Sequence, residues 1–165
     1  MSDTDKTRGP PPQDSQRTQG KSEVSVRVGD WKQLRAYAMA VRYPVFVREQ
    51  GIASELEIDE HDANAVHVVA LDPHGVPLGT GRLLPDARIG RMAVLRRARG
   101  QGVGTIILNT LIAIAKSRGM QQLRLHAQIS AQPFYEREGF RAVGPPFEEA
   151  GILHRTMVRS LHAHA

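Results

Sequence analysis

The sequence predicts an α+β domain, one sheet with helices packed on its faces, and three observations carry that prediction. Short runs that alternate apolar and polar residues recur between turn signals. Two stretches instead repeat apolar residues at helical spacing, and one of these follows a strand through a glycine-rich loop. At 165 residues with 41% hydrophobic side chains, the chain can bury one real core, and nothing calls for two domains.

Residues 1–22 contain no aromatic and no β-branched apolar residue and include Pro10-Pro11-Pro12. They cannot bury enough surface to offset ordering entropy, so a disordered tail is expected, followed by a domain over 23–160 and a frayed end at 161–165. Residues 24–28 alternate like a strand. Trp31, Leu34, Ala38 and Val41 mark one helix face, Pro44 is expected to interrupt that helix, and 45–50 reads as a second helical piece. Strands are expected at 65–71, 78–84 and 89–94, joined by the turn signals Asp72-Pro73-His74-Gly75 and Pro85-Asp86. Ile106, Ile107, Leu108, Leu111, Ile112 and Ile114 make the helix predicted at 105–117 apolar nearly all round, which packs it on the sheet, and Gly119 ends it. A strand at 122–128, a short helix at 131–138 with Pro133 in its first turn, and a last strand at 153–159 complete the reading.

Function is best read from the loop between the strand at 89–94 and the long helix. In Arg99-Gly100-Gln101-Gly102-Val103-Gly104, glycines at alternate positions let the main chain bend without Cβ atoms in the way. Successive N–H groups then converge on an anion at the positive end of the helix dipole. A nucleotide triphosphatase loop would carry Gly-Lys-Ser/Thr, whereas Gly104 is followed by Thr105. A dinucleotide fold would place an acid about 20 residues beyond the glycines, and Leu123-Arg124-Leu125-His126 has none. Arg96, Arg97 and Arg99 lie just upstream, which suits a ligand whose phosphates are bound and not transferred; coenzyme A is such a ligand. A tight strand-to-helix turn with no ligand is the plain alternative.

Two motifs then agree. Arg99-x-x-Gly102-x-Gly104 resembles the acetyl-CoA signature of the GCN5-related N-acetyltransferases (GNATs), and Phe134-Tyr135-Glu136-Arg137-Glu138-Gly139-Phe140 resembles their second hallmark. Three further segments resemble the ElaA-like or YjcF-like branch of that family: Arg42-x-x-Val45-Phe46-x-x-Glu49-Gln50, Ala127-Gln128, and Phe147-Glu148-x-x-Gly151-Ile152-x-His154. The resemblance spans residues 24–159 and implies the acyl-CoA N-acyltransferase fold, an α/β three-layer arrangement with a mixed, mostly antiparallel sheet. It implies acetyl transfer from acetyl-CoA straight to an amine within a ternary complex. It also implies that Met92, Ala93 and Val94 pair with the pantetheine arm, that the loop from Arg99 through Gly100, Gln101, Gly102, Val103 and Gly104 to Thr105 holds the phosphates, and that Phe134 and Gln128 contribute to the same site. Gln128 stands where many relatives carry Asn.

Such chemistry needs a deprotonated amine, a stabilised oxyanion and a proton for the departing thiolate. Tyr135 is the expected proton donor, since a phenol of ordinary pKa about 10 is protonated at neutral pH; the family resemblance implies the same role. Its alternative is a core aromatic beside Phe134. The base is open among Glu49, Glu57, Asp59, His67 and His126, with Glu49 and His126 preferred. Glu49 serves equally well as a holder of the acceptor. Alternation sends His126 to the strand face opposite Leu123 and Leu125.

Composition excludes several other classes. No cysteine occurs, so disulfides, thiolate zinc sites and an acyl-cysteine intermediate are ruled out, and Gly-x-Ser-x-Gly is missing. No stretch of 18 apolar residues exists, so no membrane partner is expected and a cytoplasmic location is. His61 and His67 flank acids without a metal-binding spacing, so no metal is expected. Residues 82–99 hold six arginines and one acid, whereas 49–62 hold six acids and no lysine or arginine, within a net charge of +5. This separation suggests a basic cofactor site and an acidic segment that attracts a cationic amine. Arginines are not interleaved with aromatics, so nucleic acid is not an expected partner. A small-molecule or protein amine is, with the chain as a monomer or homodimer. A non-catalytic acetyl-CoA-binding module is the alternative function.

Overall fold

The computed structural model describes residues 23–53 and 59–161. The tail expected at 1–22 and the candidate base Glu57 lie outside the described residues, as do 162–165 of the expected frayed end.

Strand β1 (Ser25–Gly29) leads into helix α1 (Trp31–Arg42). Asp30 caps that helix by accepting from the Gln33 N–H at 2.8 Å, and the Gln33 side chain returns a bond to the Asp30 N–H at 2.9 Å. Pro44 does not interrupt the coil. At Tyr43–Glu49 the helix widens to π pitch with Pro44 in its opening turn. A ring without an N–H crowds the turn before it, and widening the coil is the accommodation found here. Strands β2 (Val66–Leu71), β3 (Pro77–Leu83) and β4 (Arg88–Val94) form a meander. Helix α2 (Val103–Ser117) returns the chain to β5 (Gln122–Gln128), the short helix α3 (Gln132–Arg137) follows, and β6 (Arg141–Glu149) and β7 (Ile152–Ser160) close the domain.

The strands make one sheet in the order β1-β2-β3-β4-β5-β7-β6. Every neighbouring pair is antiparallel except β4 and β5, which are parallel. Strand β6 is an element that sequence periodicity does not reveal, because Gly144-Pro145-Pro146 reads as a breaker. It lies at the sheet edge, and its register with β7 shifts between Val143 and Phe147. A proline there removes no ladder bond from an inner strand.

Alternation along the strands sorts side chains into two layers. Ile107, Leu108 and Leu111 of α2 pack with Val68 of β2, Leu125 of β5 and Tyr135 of α3 in the main core. On the opposite face Leu34 packs with Val69 and Leu71, and Val41, Val45 and Phe46 pack with Ala93 of β4. The result is a three-layer domain with α2 and α3 on one face and α1 with its π extension on the other. No helix among the described residues is long and apolar enough to cross a membrane.

Candidate active site

Strands β4 and β5 stay paired for only two rungs, Arg88 with Arg124 and Ile89 with Leu125. Beyond them β4 runs on to Val94 and β5 to Gln128 without a shared ladder, so the sheet opens. A bulge adds to this divergence: β3 pairs Arg82 with Gly90 but Thr80 with Ala93, and Arg91 takes a left-handed φ of +52°. Bulges of this kind bend a strand and re-aim its groups. The gap is a cleft of about 840 Å³. Met92, Ala93 and Val94 line one bank and Leu125, His126 and Gln128 the other.

The glycine loop stands at the start of α2, immediately after a 3₁₀ turn over Arg96–Ala98. Gly102 is the residue before the helix, at φ +83°, and an added Cβ there would meet no atom within 4 Å. The first bond from helix to loop is Ile106 N–H to Gly102 C=O at 3.1 Å, and no side chain caps the end. Among the described residues, the N–H groups of Val103, Gly104 and Thr105 therefore face outward at the positive end of a 15-residue helix. A Cβ at Gly104 would make an ordinary contact with Phe134 Cζ, at 3.4 Å. The loop residues 100–105 do not line the cleft itself; Arg99 is the member of the motif that does.

Tyr135 reaches the cleft from the α2–α3 face. It is 7% exposed, with Phe134 and Phe140 edge-on at ring distances of 5.0 and 5.9 Å. Burial alone pushes its phenol well above the ordinary tyrosine value, so the group is a fully protonated donor through the neutral range. Gln128 is engaged across the opening: its Nε2 donates to Gln50 Oε1 at 3.0 Å, which ties the end of β5 to the end of the π segment.

Glu49 is held by arginines. Arg99 Nη1 and Nη2 each donate to a Glu49 carboxylate oxygen at 2.7 Å, Arg96 lies at 3.4 Å, and Arg99 Nε donates to the Val94 carbonyl at 3.0 Å. The Arg99 hydrogen bonds and the Arg99 and Arg96 charges lower the Glu49 pKa against the opposing effect of burial. Asp59 lines the cleft as well, where Arg82 and Arg91 reach it at 2.7 and 3.2 Å. Burial would raise its pKa, but the Arg82 pair and the Arg91 charge outweigh this and bring it down to about 2. Asp62, 1% exposed, receives Arg42 bidentately at 2.9 Å and Arg82 at 2.8 Å. Removing one partner of a buried pair of this kind costs about 3–5 kcal/mol, so the cluster fastens α1, β3 and the β4 bulge together. The acidic stretch and the basic stretch that the sequence suggested as separate sites thus interlock. His67 is fully buried behind the cleft, with Nε2 2.9 Å from the Asp62 carbonyl and its ring against Trp31; burial lowers its pKa.

His126 lies on the opposite sheet face from Leu123 and Leu125, as alternation predicts, and is 40% exposed. Its Nδ1 is 2.9 Å from Glu149 Oε1. Phe147 sits edge-on to the imidazole at 4.9 Å and stacks on His154 at 6.0 Å. Glu149 and His154 line the cleft, and neither stood among the sequence candidates. The motif at 147–154 pointed to their neighbourhood, but their closeness to His126 depends on a strand that was not legible. Among the described residues no cluster of His, Asp and Glu has the arrangement of a metal site.

Comparison with known proteins decides the family. A model described as the acetyltransferase (GNAT) domain matches residues 42–161. The chain belongs to the GNAT family. Among its GNAT relatives is the uncharacterized N-acetyltransferase YjcF of Bacillus subtilis, 38% identical over 126 residues that make up 74% of this chain and 89% of YjcF. An acyl-CoA N-acyltransferase structure from Pseudomonas aeruginosa is 26% identical, with a TM-score of 0.72 over 83% of this chain and 99% of its own. ElaA of Escherichia coli shares the fold at 24% identity, TM-score 0.73, over 82% of this chain and 99% of its own. GNAT proteins draw the acyl group from an acyl-CoA donor and pass it to amines, so the chain's place is among the acyltransferases.

Proposed function

We propose that this protein transfers an acetyl group from acetyl-CoA directly to an amine in a ternary complex. The observation that carries this reading is the parted sheet: one cleft joins the free edge of β4, a buried phenol on one face and an imidazole on the other. The chain's features fit the donor. Open N–H groups at the start of α2 offer a cradle for a pyrophosphate, and Gly102, with no atom within 4 Å of where a Cβ would stand, leaves that approach clear. Met92, Ala93 and Val94 present main-chain groups for an extended arm, with Gln128 at the far bank.

Bound acetyl-CoA supplies the activated thioester. Tyr135 Oη gives a proton to the sulfur as the C–S bond breaks, a task suited to a phenol that burial keeps protonated. Main-chain N–H groups at the β4 bulge polarise the acetyl carbonyl. Glu49, locked by Arg99 and lowered in pKa, is assigned to anchoring the loop against β4, with proton acceptance left to His126.

The test is release of free coenzyme A thiol from acetyl-CoA against a panel of amines: polyamines, aminoglycosides, amino acids and peptides. Amine-dependent release and an acetylated product are expected. Binding of acetyl-CoA with no release for any amine class would favour a non-catalytic binding module.

A further inference from the structure

We infer that Glu149 is a positioning residue for His126, and that the pair takes the proton from the acceptor amine. The inference rests on the acetyl-transfer reading above and deepens it. Three carboxylates line the cleft among the described residues: Glu49, Asp59 and Glu149. Arginines hold the first two and lower their pKa, which makes them weak proton acceptors. Glu149 instead faces an imidazole, at 2.9 Å from His126 Nδ1.

Register places the pair. Gln128, His154 and Phe147 share one rung across β5, β7 and β6, so their side chains lie on one sheet face. His126 and Glu149, each two residues from a member of that rung, fall on the same face. The β6–β7 turn then presents Glu149: its partner is Ile152, and the turn residues Ala150 and Gly151 both take left-handed φ, +53° and +78°. A non-glycine residue in that region is uncommon and persists where the surroundings fix it. On the far side, Phe147 buttresses the imidazole while His154, its Nδ1 2.7 Å from the Ile152 carbonyl, backs Phe147.

A carboxylate on Nδ1–H fixes the tautomer that leaves Nε2 bare, and it stabilises the imidazolium that forms. Tyr135 and His126 reach the cleft from opposite faces of the parted sheet, so proton donor and proton acceptor do not compete for the same space. In the step, His126 Nε2 takes the proton the amine nitrogen loses as its C–N bond to the acetyl carbon forms. The electron pair of the C–S bond leaves with sulfur, which takes the Tyr135 proton. Solvent then carries a proton from His126 to the phenolate, and the balance is amine plus thioester to amide plus thiol.

The experiment pairs nitrogen NMR of the imidazole with steady-state kinetics on the full chain, using the best amine from the panel. The neutral wild-type ring is expected to carry its proton on Nδ1, and Glu149→Ala to revert to Nε2–H. Losing a hydrogen bond to a charged group should lower kcat by about 10- to 100-fold, with KM for acetyl-CoA unchanged. Glu149→Gln, which still accepts from Nδ1–H, should keep the tautomer and recover part of the rate. Added imidazole should restore turnover to His126→Ala. Wild-type Nε2–H, or full kcat in Glu149→Ala, would overturn the inference alone. Absence of amine-dependent turnover in the wild type would overturn the acetyl-transfer reading and this pair with it.

Discussion

Burial of the Tyr135 phenol sets how far into alkali the protein keeps its proton donor. The neutral form is the one that can donate, and burial raises the pKa, so the ionised form gains population only above the ordinary value of about 10. Initial rates measured by thiol release should therefore hold through about pH 10, where an ordinary tyrosine would already be ionising, and fall only well above it. Tyr135→Phe keeps the ring that packs with Phe134 and Phe140 but deletes the proton. Its kcat should drop by roughly 10² with acetyl-CoA affinity nearly unchanged, and the alkaline fall should vanish. Full turnover in that variant would show that another group or water protonates the sulfur. Tyr135 and His126 were legible as residues, one from a motif and the other from strand alternation. The Arg99 grip on Glu49 was not, since two residues fifty positions apart meet only through the packing of the π segment on β4.

Most elements were legible because local pattern and tertiary role agree in them. The strand at Gln122–Gln128 was read to the residue, and the helix after the glycine loop begins at Val103, two residues before the expected start at Thr105. One junction and one strand escaped. The helical piece at 45–50 was expected as separate from α1 because Pro44 signals a break, and only the packing of Val45 and Phe46 shows that the coil runs on through it. Strand β6 hides because an edge strand tolerates the very residues that mark loops. At the start of α2, Gly102→Val would force a branched side chain to φ +83°, at a strain of about 1–2 kcal/mol. The methyl groups would also stand where the loop must approach a pyrophosphate. Calorimetry should show coenzyme A affinity reduced at least tenfold while the domain stays folded; unchanged affinity would mean the loop is only a turn.

At the scale of the molecule, a ligand that spans the loop and the cleft should protect the whole fold. Coenzyme A at 100 times its dissociation constant adds about 2.7 kcal/mol, which corresponds to a rise of about 5 to 10 °C in Tm for a domain of this size. Thermal denaturation should show that rise with coenzyme A and far less with NAD or ATP; equal protection by NAD would overturn the donor assignment. The net charge of +5 also takes on a different meaning once the fold is known, because three of the four described acids of 49–62, namely Glu49, Asp59 and Asp62, are spent on arginines. On the proposed reading, an amine entering the cleft meets Glu49 and Asp59 already paired with arginines, not a bare acidic field. The parting of β4 from β5 has a mechanical side. With two rungs joining them, β1 to β4 and β5 to β7 are two leaves of a book bound along a short spine, and the Gln50–Gln128 amide pair is the clasp. On the proposed reading, a donor lying in the gutter would replace the missing rungs with its own bonds, and the sheet would become continuous only with the substrate as part of it.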